Sequence, residues 1–353
     1  MKMSDVRSQL RHSLPSVSLT ITLAVAALAA WLPATAIAAE VGDKLVRTGD
    51  EIMVCGQLFH TTAPVVLWTD PKGYDAYRVE RRFSEYESSS WEKSKLQNPG
   101  LDTPNRYNLR KDKLTKEQIE QVRGGGWTLP LLEQVVDQFV MHYDVCGVSQ
   151  QCFKILHDHR GLSVHFMLDI DGTIYQTLDL KERAWHATIS NTRSIGIEIA
   201  SIGAYPRDNK AVLDRWYSHK AEGTILHPPR SLGHLGLRRD PFQGQPDRPE
   251  PVVGTIQGRE LTQYDFTPQQ YDSLIKLTAT LCRIFPKLDC KYPTDEQGQL
   301  IPHKLTDEQW QDFGGVLGHY HVQLNKIDPG PAFNWEKVIG GASELLEKQV
   351  SKQ

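Results

Sequence analysis

The sequence predicts an α/β protein with a central mixed β-sheet flanked by helices, preceded by a small β-rich N-terminal extension. Three stretches carry that expectation. Val164, Phe166, Leu168 and Ile170 alternate with period two and run into Asp171-Gly172, a hairpin turn signal, after which Ile174 opens a returning strand. Ser194 to Ile199 alternates again, with Ile195, Ile197 and Ile199 on one face, so Glu198 points to the other face beside Gly196. Thr267-Pro268-Gln269-Gln270 combines an N-cap hydroxyl, a first-turn proline and a capping-box glutamine. Tyr271, Leu274, Ile275, Thr278, Leu281 and Cys282 continue at helical spacing as far as Pro286, giving an amphipathic helix suited to covering a sheet.

Taken in order, the chain opens with Lys2, Arg7 and Arg11, then the apolar stretch Leu19 to Leu32, then the small residues Ala36-Ile37-Ala38. This pattern predicts a signal peptide over residues 1–39 and an exported, periplasmic or extracellular protein; the alternative is an uncleaved anchor. After its removal no stable membrane insertion is expected. Residues 40–128 form the β-rich accessory region and linker. In it, Glu51-Ile52-Met53-Val54 and Pro64-Val65-Val66-Leu67-Trp68 are broken by Gly, Asp and Pro, a charged stretch runs from Arg78 to Arg123, and Gly124-Gly125-Gly126 sets a boundary near Trp127. Residues 129–353 form the main domain, interrupted at about 204–260 by a proline-rich surface insertion of the kind that rims clefts.

Bulk properties exclude several classes. The formal charge of -3 over 353 residues gives no field favouring nucleic acid or an anionic membrane. Hydrophobic content of 39%, with 20 prolines and 26 glycines, fits a loop-rich globular protein. Its five cysteines all lie beyond the export segment, where disulfides are permitted. Cys146 and Cys152 are close enough in sequence to clip a loop, and Cys282 with Cys290 can brace a helix end, which leaves Cys55 over; spacing does not fix the connectivity.

The chemistry-bearing residues cluster late. Gly318-His319-Tyr320-His321 followed by Lys326-Ile327-Asp328-Pro329-Gly330 puts an imidazole and a carboxylate at the two ends of one loop. A hydrolytic zinc centre takes three protein ligands and keeps a fourth position open, so one more ligand is needed. His142, ending the apolar run Phe139-Val140-Met141, is the candidate, because a strand there delivers a side chain to a core edge. His157-Asp158-His159 is a decoy: its flanks read as helix, which separates the two rings. No His-Glu-x-x-His occurs in the chain.

The order of these motifs, with Ser163-Val164-His165-Phe166, Asp171-Gly172-Thr173-Ile174-Tyr175-Gln176, Trp185-His186-Ala187 and Ser194-Ile195-Gly196-Ile197-Glu198 between the first and last ligands, resembles the type 2 N-acetylmuramoyl-L-alanine amidase family, related to the peptidoglycan recognition proteins. The resemblance spans roughly Leu131 to Trp335. It implies a Zn2+ ion held by His142, His319 and Asp328, and Glu198 as catalytic acid/base. It also implies an enzyme (EC 3.5.1.28) that cleaves the amide between N-acetylmuramic acid and L-alanine in peptidoglycan or muropeptides. The cysteine pair after the first ligand resembles the short disulfide loop of the recognition proteins. Val164 departs from the tyrosine that phage-type and recognition-type members carry there, and His321 stands where a small or polar residue is expected; a solvated or supporting role is assigned to it.

Lys326 is the expected oxyanion stabiliser, with a salt bridge to Asp328 as the bland alternative. Trp185 and His186 are expected to line the substrate groove, and Asn191 and Arg193 to meet peptide carboxylates. A non-catalytic peptidoglycan-binding module is the alternative, disfavoured by the complete ligand set.

Overall fold

The computed structural model describes residues 40–97, 107–221, 223–239 and 242–351; the export segment expected over residues 1–39 lies outside the described residues. Six strands form the central sheet: β1 (Val65–Leu67), β2 (Gln138–Tyr143), β3 (Phe166–Leu168), β4 (Ile174–Gln176), β5 (Ser194–Ile199) and β6 (Gly315–Gly318). Their spatial order is β6-β2-β5-β3-β4-β1. Only β3 and β4, the hairpin expected around Asp171-Gly172, run antiparallel; the other pairings are parallel. The fold is therefore the expected mixed sheet.

Alternation along β2 and β5 sends odd and even residues to opposite faces. Phe139, Met141, Ile195, Ile197 and Ile199 are buried against the helix α1 (Pro268–Ile284) and the C-terminal helix α2 (Trp335–Val350) through Leu274, Leu277, Leu281, Val338 and Ile339. Each such aliphatic side chain contributes about 1.5–3 kcal/mol by leaving water. Helix α1 starts where the sequence places it: Thr267 Oγ1 accepts the Gln270 N–H at 3.1 Å, and Gln270 Oε1 accepts the Thr267 N–H at 2.9 Å. The even residues, including His142 and Glu198, are left for the opposite face, away from both long helices.

The boundary expected near Trp127 does not divide two bodies. From Arg47 onward the chain forms one compact unit, because β1 of the supposed accessory region is the sixth strand of the main sheet. Ile52, Val54, Ala63 and Leu67 share one apolar cluster with Phe139 and Ile195. β-Propensity marks a segment as half-buried but does not say which sheet edge it completes. The β-rich reading of the region does hold, since Glu51–Val54 and Gln57–His60 pair as a hairpin.

The segment at 204–260 is more than a surface rim. It contains the hairpin Tyr217–Lys220/Gly223–Leu226, and its end forms Val252–Ile256/Arg259–Gln263. Trp216, Tyr217 and Leu226 build a core of their own with Tyr264, whose ring stacks on Tyr217 at 4.0 Å. Leu261 reaches the main core, and Gln263 is fully buried. No described helix is long and apolar enough to cross a membrane.

Candidate metal centre and catalytic pocket

Sheet register assembles the site. β2 and β5 are parallel neighbours with His142 paired to Glu198, so both side chains project from the same face. β6 lies on the other side of β2 with Gly318 opposite Met141, which places His319 next to His142. Asp328 returns on the loop that follows, its carbonyl accepting the Tyr320 N–H. Buried Gln263 holds that loop from the insertion: its Nε2 donates to the Pro329 carbonyl at 3.0 Å, and its Oε1 accepts the Ala332 N–H at 3.0 Å. Gly330 between them has φ +84, and a Cβ there would stand 2.1 Å from Gln263 Oε1, so the Asp-Pro-Gly motif needs glycine for this approach.

Three atoms converge. His142 Nδ1 lies 2.9 Å from His319 Nδ1 and 3.0 Å from Asp328 Oδ2, and His319 Nδ1 lies 2.9 Å from that same oxygen. The residues are 2%, 4% and 8% exposed. Their outer nitrogens are engaged elsewhere. His319 Nε2 donates to Gln323 Oε1 at 2.6 Å, and His142 Nε2 meets His186 Nδ1 at 2.9 Å, whose own Nε2 meets Ser194 Oγ at 3.2 Å. With the ring protons directed outward, two nitrogen lone pairs and a carboxylate oxygen face one another, an arrangement that calls for a cation between them. Burial, and then the neighbouring His319, push the His142 pKa down to about 4, so protonation does not readily supply that charge. Two imidazoles and one carboxylate, with a pocket at their open side, are a donor set that could hold a divalent metal ion and leave it a further open position.

That pocket, about 180 Å³, is lined by the three residues together with Glu198, Lys326, Trp185, His186 and Arg160. Burial pushes the Glu198 carboxyl well above the usual carboxylate range; Asp328 and Asp144 add to this, and Lys326 and Arg160 oppose it. Lys326 is half-buried and forms no ion pair with Asp328 among the described residues. Glycine in the Ser-Ile-Gly-Ile-Glu stretch has a spatial cause: a Cβ on Gly196 would lie 2.5 Å from His186 Cε1 and Nδ1.

A sequence model of the N-acetylmuramoyl-L-alanine amidase family (Amidase_2) matches residues 132–331. The chain belongs to this family. Among solved structures, it is similar to a selenomethionine AmpD derivative at 15% identity, covering 68% of this chain and 92% of that one with a TM-score of 0.30. It is similar to the N-acetylmuramyl-L-alanine amidase AmiD from E. coli, solved in complex with the substrate anhydro-N-acetylmuramic acid-L-Ala-D-γ-Glu-L-Lys, at 17% identity and a TM-score of 0.33, covering 58% of this chain and 57% of that one. An endolysin amidase, LysCS, from Clostridium intestinale URNW is 16% identical over 60% of this chain and 86% of its own, with a TM-score of 0.30. No curated protein matches the chain.

Of the substrate-binding candidates, Trp185 and His186 do line the pocket, although His186 also orients His142. Asn191 and Arg193 do not reach it. Asn191 Oδ1 accepts the N–H groups of His186 and Ala187, pinning their loop. Arg193 precedes β5, five residues from Glu198 and thus about 16 Å along the strand. Its guanidinium is taken by both Asp137 oxygens at 2.6 Å and by the carbonyls of Trp310, Gln311 and Phe313. The carboxylate it meets belongs to the protein, which side-chain chemistry alone does not distinguish from a ligand's.

Of the two roles open to His321, solvated or supporting, the structure has the supporting one. It is fully buried, accepts the Gly318 N–H on Nδ1 at 2.9 Å and donates from Nε2 to the Ile301 carbonyl at 2.7 Å, bracing the end of β6. The decoy His157 is likewise structural: it bonds Asp158, whose carboxylate accepts the N–H groups of Arg82 and Phe83. All five cysteines carry free thiols, but both expected pairs meet, Cys152 hydrogen bonding to Cys146 and Cys282 to Cys290. Arg160 and Gln323 escaped the sequence reading; Gln323 stands four residues after His319, the spacing that puts two side chains on one helical face.

Proposed function

We propose that this protein is a zinc-dependent N-acetylmuramoyl-L-alanine amidase acting on the amide that joins N-acetylmuramic acid to L-alanine in peptidoglycan or its fragments. The observation that carries this reading is the convergence of His142 Nδ1, His319 Nδ1 and Asp328 Oδ2 next to Glu198, on the strand position paired with His142. A zinc ion held by these three residues supplies Lewis acidity toward the amide carbonyl and makes water acidic near neutral pH.

The chain's own groups do the rest. Glu198 accepts a proton from the attacking water as its oxygen bonds to the carbonyl carbon. It then delivers that proton to the alanine nitrogen as the C–N bond breaks, since an amide anion is a poor leaving group. A carboxyl with a raised pKa suits this double use, provided the metal's positive charge brings it back toward neutrality. Lys326, which lines the same pocket and forms no ion pair with Asp328 among the described residues, would offset the charge that develops on the carbonyl oxygen. Trp185 offers an apolar wall for the sugar or stem peptide. Export to the compartment that holds peptidoglycan, signalled by residues 1–39, belongs to the same proposal.

Metal analysis of the purified protein and digestion of purified sacculi test it together. One zinc per chain and release of free stem peptides are expected, with Glu198→Gln retaining zinc but losing about 10²–10⁴-fold in rate. Equal release by parent and variant would remove Glu198 from the chemistry. Tight binding of muropeptide without cleavage would instead make the protein a recognition module.

A further inference from the structure

Another cavity, about 820 Å³, opens on the other side of the molecule's Ser149–His159 helical segment from the catalytic pocket: Gln150 lines this cavity, while Cys152, Ile155 and Leu156 line the catalytic pocket. It is built largely from chain outside the residues matched to the family, by the segment from Arg47 to Phe83, closed by Tyr175 and by His234 to Arg238 of the insertion. Its floor is aromatic. The Tyr74 ring lies 4.6 Å from Tyr175 and 6.4 Å from Phe83.

Its rim is cationic. Lys72, Arg82 and Arg238 are exposed, and none forms an ion pair among the described residues. Among the described residues the cavity is lined by one carboxylate, Asp70, whose two oxygens accept from a single Arg47 nitrogen at 2.6 and 2.7 Å, and Arg47 also pairs with Glu51 at 3.3 Å. Three cations without an ion pair thus gather at the rim, against one net negative charge from the Arg47, Asp70 and Glu51 group, on a protein whose formal charge is -3. Lys72 also holds φ +67, a left-handed backbone that is unfavourable for a residue other than glycine and is the kind of local strain found where a side chain is presented to a ligand.

Cations above a bed of aromatic rings recognise a ligand with carboxylates and sugar rings. The cavity has the volume of a site for a whole small ligand, whereas the catalytic pocket has room for little more than the scissile amide and its neighbours. We propose that this groove binds stem-peptide carboxylates of polymeric peptidoglycan, holding the wall beside the catalytic pocket and making the intact polymer the favoured substrate. This rests on the amidase reading. Two linked contacts on one polymer raise the local concentration of the scissile bond, an advantage that a soluble fragment too short to span both does not have.

The test uses the full chain. Sacculus sedimentation is measured with Glu198→Gln protein and with the same protein carrying Lys72→Ala, Arg82→Ala and Arg238→Ala. Cleavage of sacculi and of a soluble monomeric muropeptide is compared between the parent and the triple variant. The expected result is about tenfold weaker sedimentation and sacculus cleavage, both salt-sensitive, with muropeptide cleavage unchanged. Undiminished sedimentation, or an equal fall on both substrates, overturns the proposal. So does binding that disappears when phosphate-bearing polymers are stripped from the sacculi. A parent that cleaves neither substrate, yet sediments through these three cations, would defeat the amidase reading and leave the groove standing.

Discussion

Replacing Gly196 with alanine tests how the ligands are oriented. The new Cβ would stand 2.5 Å from His186 Cε1 and Nδ1 and 2.7 Å from Cγ. Carbon atoms rest at about 3.5 Å, so the imidazole has to retreat by about 1 Å. Its 2.9 Å contact with His142 Nε2 then opens to about 4 Å, beyond hydrogen-bonding range. His142 loses the group that fixes its ring and keeps the Nδ1 lone pair aimed between His319 and Asp328, where the proposed zinc would sit. Losing such an outer partner lowers metal affinity by about 10–100-fold, equivalent to about 1.4–2.8 kcal/mol. A zinc competition titration against a chelator reads this directly, with circular dichroism confirming that the variant is folded. A dissociation constant within about twofold of the parent's would show that His186 does not orient His142.

Other substitutions probe the frame around the site. Fully buried Arg110 donates to the carbonyls of Leu180, Thr192 and Ser194 and contacts His165 Nε2; Arg110→Met leaves those carbonyls without a donor and should destabilise the protein by about 3–5 kcal/mol in urea unfolding, at about 1–3 kcal/mol for each buried group left unsatisfied, and a loss under about 1 kcal/mol would contradict this. Gln263→Ala should free the Asp328 loop, costing about 2–3 kcal/mol of stability and weakening zinc binding about tenfold by the same titration. Burial alone would raise the Glu51 pKa, but hydrogen bonds from the Thr48 backbone and hydroxyl and the Gly49 backbone outweigh it and bring it from 4.5 to about 2. A depressed carboxyl stabilises the fold above its unfolded pKa, so a contribution of at most about 3 kcal/mol should be present above pH 5 and fade as the pH falls toward 2. Glu51→Gln should flatten that part of the stability profile, and an unchanged slope would count against it.

Local rules reached the features whose cause is local. The Asp171-Gly172 turn, the capping box at Thr267 and Gln270, and the face of β5 that carries Glu198 each follow from a few consecutive residues. The trio of His142, His319 and Asp328 came from residue type and motif order, and strand register then supplied the proximity. What escaped depends on partners distant in the chain. Val65–Leu67 reads as a strand, but its pairing with Ile174–Gln176 is a tertiary fact. Arg193 has the chemistry of a carboxylate binder and satisfies it on Asp137, and His321, with the chemistry of a ligand, satisfies it on main-chain groups.

The edge strand β1 has a practical consequence. A recombinant fragment cut at residue 132, where the family match begins, would lack both Val65–Leu67 and the Arg110 guanidinium. The outer side of Ile174–Gln176 would then present bare amide and carbonyl groups to solvent, an invitation to self-association through β-pairing. Anyone trimming this molecule to its family boundary should expect insoluble material, whatever the state of the catalytic residues.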